Sequence, residues 1–72
     1  MRGLNIKKGT IKAVIRDKGY GFITCEDGSE IFFHMSGLAN IYFEDLQIGQ
    51  SVEYVEEEGH KGTKAVEITV VE

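Results

Sequence analysis

The sequence contains neither proline nor tryptophan, and Cys25 is the only cysteine among its 72 residues. A lone cysteine cannot form an internal disulfide, which fits a reducing compartment. Cys25, His34 and His60 lack the spacing of a structural zinc site, so we expect no metal and no cofactor. No apolar run reaches the roughly 18 residues of a membrane span, and the N-terminus has no signal-peptide core. These absences predict a soluble intracellular protein.

Positive charge is scarce, and it is concentrated at one end of the chain. Residues 1–18 carry six of the eight basic residues and one acidic residue, a net charge of +5, whereas residues 19–72 carry two basic and eleven acidic residues, a net charge of −9. The overall charge of −4 argues against a polyanionic partner, but this asymmetry predicts one basic face on an acidic body. Charge alone leaves open that these side chains are merely solvated.

Convincing helical periodicity is missing as well, and glycine-rich breaks separate short β-prone segments. Asp27-Gly28 is a strong signal for a tight hairpin. A short helical turn or loop is expected at residues 36–40, and an irregular connection at residues 41–50. The β-branched and aromatic segments predict five strands, at residues 7–16, 20–25, 31–34, 51–57 and 63–71.

Five short strands leave exposed edges unless the sheet closes on itself. The economical solution for one domain spanning residues 1–72 is an all-β, five-stranded antiparallel Greek-key barrel of the OB type. Its core is expected to contain six apolar side chains: Ile11, Ile23, Ile31, Phe33, Val52 and Val66.

Strand geometry gives residues 20–25 and 31–34 one aromatic face each. Side chains alternate along a strand, so Tyr20 and Phe22 share one face, and Phe32 and His34 share the corresponding face of the next strand. If Ile23 and its neighbours point inward, the aromatic side chains project outward side by side. The pattern alone leaves the reverse assignment open, because aromatic residues are more often buried than exposed.

An exposed aromatic cluster costs stability and therefore usually has a use. Stacking of nucleic-acid bases is the natural use, at about 1–3 kcal/mol per ring whatever the base. Gly19 and Gly21 lack side chains that could obstruct an incoming base. Five basic residues lie near enough in sequence to contact phosphates: Lys7, Lys8, Lys12, Arg16 and Lys18.

Two short motifs stand out, Lys-Gly-Tyr-Gly-Phe-Ile at residues 18–23 and Ile-Phe-Phe-His-Met-Ser at residues 31–36. They resemble the first and second ribonucleoprotein motifs of bacterial cold-shock domains. The resemblance covers nearly the whole chain. It implies a monomeric cytoplasmic barrel that binds single-stranded RNA or DNA with low sequence specificity and chaperones RNA. The matching positions imply a binding site of eight residues: Lys12, Lys18, Tyr20, Phe22, Phe32, His34, Met35 and Phe43, the last a weaker match.

The chain also departs from the family pattern. Ala13-Val14 stands where the family usually has Trp-Phe, Met35 replaces a phenylalanine, and Thr63 replaces a proline. Met35 can still lie against a base, whereas Ala13 cannot stack, so we expect weakened binding. The missing rings and the acidic net charge leave an alternative open, in which the barrel acts mainly as a protein-interaction module.

Catalysis has little support in the sequence. His34 has no paired carboxylate, serine or cysteine at a suggestive position, so it reads as a stacking and hydrogen-bonding ring rather than a general base. His60 is expected in a solvated turn, and Cys25 as a small packing residue. The chain is therefore not expected to be an enzyme.

Overall fold

A computed structural model describes residues 5–71 of the chain as five strands and two short 3-10 turns. Residues 1–4 and 72 of the expected domain lie outside this range, as does Arg2 of the basic segment. The 3-10 turns span Met35–Gly37 and Phe43–Asp45. The strands are β1 (Ile6–Ile15), β2 (Tyr20–Cys25), β3 (Glu30–His34), β4 (Ser51–Gly59) and β5 (Gly62–Val70).

The five strands close into a barrel in the order β1-β2-β3-β5-β4, which confirms the expected five-stranded barrel. Four of the strand pairings are antiparallel. The pairing that closes the barrel, between β3 and β5, is parallel and joins only Phe32 with Lys64 and Phe33 with Ala65. Among residues 5–71 there is no helix long and apolar enough to cross a membrane.

The β2–β3 hairpin follows from its turn. Gly28 has a φ of 91°, a left-handed conformation that glycine adopts without steric cost. The Asp27 carboxylate accepts hydrogen bonds from the Ser29 backbone N–H at 3.0 Å and from the Ser29 hydroxyl at 2.6 Å. This turn sets the register in which Phe22 lies opposite Phe32, so the two aromatic strand faces become one surface.

A bulge at Lys12 bends β1 between its two partners. Ile11 lies opposite Ile23, but the next residue of β2, Phe22, lies opposite Ala13, so Lys12 is the extra residue. The N-terminal half of β1 pairs with β4, and the C-terminal half continues along β2 toward Tyr20. The bulge therefore lets one strand serve both sides of the barrel, as is common at barrel rims.

The barrel interior contains five of the six expected core residues. Val66 is the exception: it is only half-buried, and Ala65 and Ile68 point inward instead. The cause is an irregularity in β5, where Glu67 has a φ of 51° and the register with β4 shifts between Glu53 and Val55. The remaining buried residues, which the sequence did not predict as core, are Phe43, Leu46 and Tyr54.

Candidate functional site

Three aromatic rings form one contiguous cluster on the outside of the β2–β3 hairpin. The Tyr20 and Phe32 ring centroids are 5.4 Å apart, those of Phe22 and Phe32 are 6.0 Å apart, and those of Tyr20 and Phe22 are 6.1 Å apart. These are the separations of favourable tilted and edge-to-face contacts. Each ring is partly buried and keeps part of its surface exposed to solvent. We call these rings, together with His34, the aromatic face.

His34 extends the aromatic face at the end of β3. It lies opposite Tyr20 in the strand register and two residues beyond Phe32, on the same side of the sheet. Its ring is exposed, and its Nδ1 accepts a hydrogen bond from the Ser36 backbone N–H at 3.1 Å. This bond caps the 3-10 turn that begins at Met35, so the orientation of the ring is fixed by the chain that follows it.

Met35 continues the aromatic face beyond His34. Its side chain is 47% exposed, and its sulfur lies beside Gly19, where an added Cβ would come within 3.0 Å of it. The Met35 backbone N–H also donates to the Gly19 carbonyl at 2.9 Å. The thioether is therefore held against the turn that precedes Tyr20, where it leaves an exposed apolar surface.

The two glycines around Tyr20 serve packing rather than ligand access. Both are buried, and a Cβ on Gly21 would lie 2.7 Å from the Phe33 ring inside the barrel. Gly19 has a φ of 78° and is covered by Met35. The sequence-based interpretation that these glycines leave room for a base is therefore wrong. Gly21 instead lets β2 approach the interior ring closely.

The basic residues are less available than the sequence suggested. Lys12 forms an ion pair with Glu30, which lies at the start of β3 on the outer side of the hairpin. Lys18 is exposed in the turn two residues before Tyr20. Lys7 and Lys8 lie in the half of β1 that pairs with β4, at the far end of β2 from Tyr20. Among the basic residues that form no ion pair in the described chain, Lys18 is thus the nearest in sequence to the aromatic face.

Arg16 does not point toward a ligand as the sequence led us to expect. Its guanidinium donates to the Phe43 carbonyl at 2.8 Å and to the Leu46 carbonyl at 2.5 Å. The same group lies 5.8 Å from the centroid of the Phe43 ring. Since both terminal nitrogens are used within the protein, Arg16 fastens the long connection between β3 and β4 to the end of β1.

Phe43 is brought into the core instead of the aromatic face. It is 8% exposed and packs in the same cluster as Leu46, so little of its ring surface can be reached from outside. Its neighbour Tyr42 is 75% exposed. Both residues line a cleft of about 600 Å³ that Met35 also borders. The sequence analysis did not select Tyr42, because a single aromatic residue in an irregular segment carries no signal of exposure.

The strand next to Phe22 carries no ring. Ala13 lies opposite Phe22 across the β1–β2 pair, and Ile15 lies opposite Tyr20. On the other side, Lys64 of β5 lies beside Phe32, with its ammonium 3.8 Å from the Glu57 carboxylate. The aromatic face is therefore bounded by aliphatic side chains on β1 and by a partly neutralised lysine on β5.

Two further groups carry chemistry but lie away from the aromatic face. The Tyr54 hydroxyl donates to the Cys25 sulfur at 3.0 Å, and burial together with this bond raises the pKa of Tyr54 above its usual range. Cys25 is half-buried against the core, as a packing residue would be. Within residues 5–71, no three His, Cys, Asp or Glu side chains come together as metal ligands would.

The sequence matches the family model described as the "Cold-shock" DNA-binding domain over residues 7–71. It is 44% identical to Cold shock protein 2 of Lactiplantibacillus plantarum over 63 residues, which cover 88% of this chain and 96% of the relative. It is 42% identical to the Major cold shock protein CspA of Pseudomonas aeruginosa over 67 residues, which cover 93% of this chain and 97% of the relative.

A solved structure shares the fold. Drosophila Unr CSD456 superposes with a TM-score of 0.79 and 24% sequence identity, covering 97% of this chain and 28% of that longer chain. The likeness extends over the whole barrel and supports the assigned topology.

Proposed function

Because this chain belongs to the cold-shock domain family, whose members are nucleic-acid binders and not enzymes, we propose that it binds single-stranded RNA or DNA on its aromatic face with little sequence preference. The observation that carries this proposal is the cluster of Tyr20, Phe22 and Phe32, whose centroids lie 5.4–6.1 Å apart on the outer surface. Rings clustered on two neighbouring strands offer several stacking surfaces to the bases of one strand.

Stacking explains both the tolerance for sequence and the preference for single strands. Every base has a π-face, so a ring contributes about 1–3 kcal/mol regardless of base identity. In a duplex the faces of the bases are already stacked on one another and their edges are paired, so the rings cannot reach the faces. A protein that holds unpaired bases opposes RNA secondary structure, which is the basis for proposing an RNA-chaperone role.

Side chains around the rings supply the remaining contacts. In this proposal Lys18 contacts the phosphate backbone, and Lys12 does so once its bond to Glu30 is exchanged for a phosphate. Met35 and His34 extend the stacking surface toward the connection between β3 and β4. We leave Phe43 out of the proposed interface because its ring is buried. We expect the protein to act as a cytoplasmic monomer, as the family resemblance implies.

A titration of fluorescein-labelled oligonucleotides tests the proposal. We expect heptathymidine and heptauridine to bind at low salt, and a blunt duplex of the same length to bind much more weakly. The logarithm of the binding constant should fall against the logarithm of salt concentration, with a slope of about −0.7 per phosphate contact. Equal affinity for the duplex, or no binding of either single strand, would contradict the proposal.

The protein-interaction alternative is favoured by a separate observation, the engagement of Lys12 by Glu30 on a chain of net charge −4. A hydrophobic surface that binds a protein partner would keep its affinity as salt is added. Salt dependence therefore distinguishes the two functions.

A further inference from the structure

We propose that Glu30 is a specificity-determining residue that competes with phosphate groups for Lys12. Its carboxylate lowers the affinity for any polyanion whose bases cannot stack on the aromatic face, and so makes the protein select unpaired strands. The proposal rests on the nucleic-acid function argued above and deepens it, because it assigns the rejection of other polyanions to one side chain.

The ion pair between Lys12 and Glu30 crosses the outer surface of β2. Lys12 is the bulged residue of β1 and Glu30 is the first residue of β3, so β2 lies between them. Glu30 lies opposite Thr24 and shares its side of β3 with Phe32, because side chains two positions apart on a strand point the same way. Glu30, Phe22 and Phe32 line one cleft of about 460 Å³. The pair therefore lies on the surface that carries the aromatic face.

Both members of this ion pair can be reached from solvent. The Lys12 side chain is 54% exposed and the Glu30 side chain is 46% exposed. Ion pairs this exposed contribute little stability, so a phosphate group can replace the carboxylate. The strand then gains only the difference between the two contacts, and the Glu30 carboxylate stays nearby and repels its phosphates.

A second lysine beside the aromatic face has the same kind of neighbour. Lys64 of β5 is in register with Phe32, and its ammonium is 3.8 Å from the Glu57 carboxylate. Lysines on both sides of the β2–β3 hairpin are thus paired with carboxylates. A base that stacks on the rings between them displaces no charged partner, so stacking is favoured over contacts made by charge alone.

The carboxylate also changes the response to salt. A phosphate that is neutralised by a free lysine releases a condensed cation, which is why affinity falls as salt is added. When Lys12 exchanges Glu30 for a phosphate, the carboxylate left behind attracts a cation in turn, and the net release is smaller. Glu30→Gln should therefore make the log–log salt slope steeper, by up to about 0.7.

A blunt duplex is the polyanion that Glu30 should disfavour most. A duplex carries twice the charge of one strand along its axis and offers no base faces to the rings. Its binding depends on charge alone, and the carboxylate repels the denser charge more strongly. Removing this carboxylate should therefore help the duplex more than the single strand, and the ratio of the two affinities should fall.

Titrations of heptathymidine and of a blunt duplex over a range of salt concentrations test the proposal. Glu30→Gln should raise the affinity for heptathymidine at low salt about two- to fivefold, the worth of one exposed ion pair, and should raise the affinity for the duplex more. Glu53→Gln is the matched control, because it removes the same charge from β4, which pairs with neither strand of the hairpin. Its gain should be smaller and should leave the affinity ratio unchanged.

The Lys12→Gln background shows whether the effect passes through the ion pair. There, Glu30→Gln should change affinity no more than the control substitution does. Equal gains from Glu30→Gln and Glu53→Gln, a full gain without Lys12, or an unchanged affinity ratio would each overturn the proposal and leave the proposed function standing. If wild type does not bind heptathymidine at low salt, the proposed function fails, and the role of Glu30 fails with it.

Discussion

The two faces of the β2–β3 hairpin are built from similar apolar residues but have different surroundings. On the inner face, Ile23 and Phe33 are 0% exposed and Ile31 is 6% exposed. On the outer face, Tyr20 and Phe32 contact one another and remain partly exposed to solvent. Phe32 and Phe33 are adjacent in sequence and chemically identical, yet one is accessible to a ligand and the other is not. Whether a ring stabilises the core or is available for binding therefore depends on its position in the alternation and not on its residue type.

The inner face also has no room for a side chain larger than that of glycine at position 21. A Cβ on Gly21 would lie 2.7 Å from the Phe33 ring, closer than real carbon contacts. The outer face is open, and its neighbours on β1 are the small Ala13 and the aliphatic Ile15. Substitutions on the inner face should therefore change the free energy of unfolding, and those on the outer face should change affinity.

The largest expected effect separates the adjacent phenylalanines. Phe33→Ala removes a fully buried ring and should lower the free energy of unfolding by about 3–5 kcal/mol. Because a domain of this size has little stability to lose, much of the variant should be unfolded at 25 °C. Phe32→Ala should cost less, about 1–2 kcal/mol, because it loses contacts with neighbouring rings and a smaller buried area than Phe33. Urea unfolding followed by circular dichroism measures both, and equal losses would show that the faces are assigned backwards.

Substitutions on the outer face should affect binding more than stability. Phe22→Leu keeps the apolar contact with the hairpin but removes a flat ring, and should weaken heptathymidine binding by about 1–3 kcal/mol, roughly 5- to 150-fold. Phe22→Tyr retains the ring and is the matched control, with affinity close to that of wild type. If leucine binds as tightly as tyrosine, stacking at this position does not hold the strand.

The contrast between the faces could be predicted from the sequence because it depends on local geometry. Alternation along β2 and β3 placed Ile23 and Phe33 together, and the Asp27-Gly28 turn fixed the register that joins Phe22 to Phe32. Alternation alone did not reveal which face was inside. The family resemblance favoured the outward assignment of the rings, and their partial exposure agrees with it.

Alternation failed where a strand contains an irregularity. Ala65 and Ile68 both point inward although they are three positions apart, because the irregularity at Glu67 inserts an extra residue into β5. Val66 was therefore wrongly predicted as core. Nothing in the sequence marks this position, since glutamate has no preference for a positive φ.

Contacts between segments that are distant in the sequence could not be predicted either. The hydrogen bonds from Arg16 to Phe43 and Leu46 join residues 27 and 30 positions apart. They depend on how the β3–β4 connection folds back over the barrel. A basic residue near an aromatic motif suggested phosphate binding, and only the three-dimensional arrangement showed that its donors are already used.

Extending the outer face onto β1 should raise affinity. Ala13 lies opposite Phe22, so Ala13→Trp places a third strand's ring beside the aromatic face. One added stacking surface should strengthen heptathymidine binding about tenfold, which corresponds to about 1.4 kcal/mol. Ala13→Leu adds apolar volume without a flat ring and is the control. An equal gain from both variants would attribute the effect to hydrophobic contact.

A substitution in β5, away from the aromatic face, should raise the stability of the protein. A non-glycine residue at the left-handed Glu67 position is disfavoured by roughly 1–2 kcal/mol, part of which glycine loses again in conformational entropy. Glu67→Gly should therefore raise the free energy of unfolding by up to about 1 kcal/mol and leave affinity unchanged. Glu56→Gly removes the same charge from an ordinary position in β4 and should destabilise. A loss of stability in Glu67→Gly would show that the glutamate side chain makes a compensating contact.

The smallest expected effect lies in the turn that joins the two strands and belongs to neither face. Hydrogen bonds from the Ser29 hydroxyl and backbone N–H lower the pKa of Asp27 below its usual 3.8. An acid with a lowered folded-state pKa adds stability above its unfolded pKa, and that stability is lost as the pH falls through the folded value. The unfolding free energy of wild type should therefore decline more than that of Asp27→Asn as the pH falls below about 4, and urea titrations at each pH measure the difference. Parallel pH profiles for the two proteins would mean that the Ser29 bonds do not favour the charged carboxylate in solution, and that the hairpin register depends on Gly28 and the two faces alone.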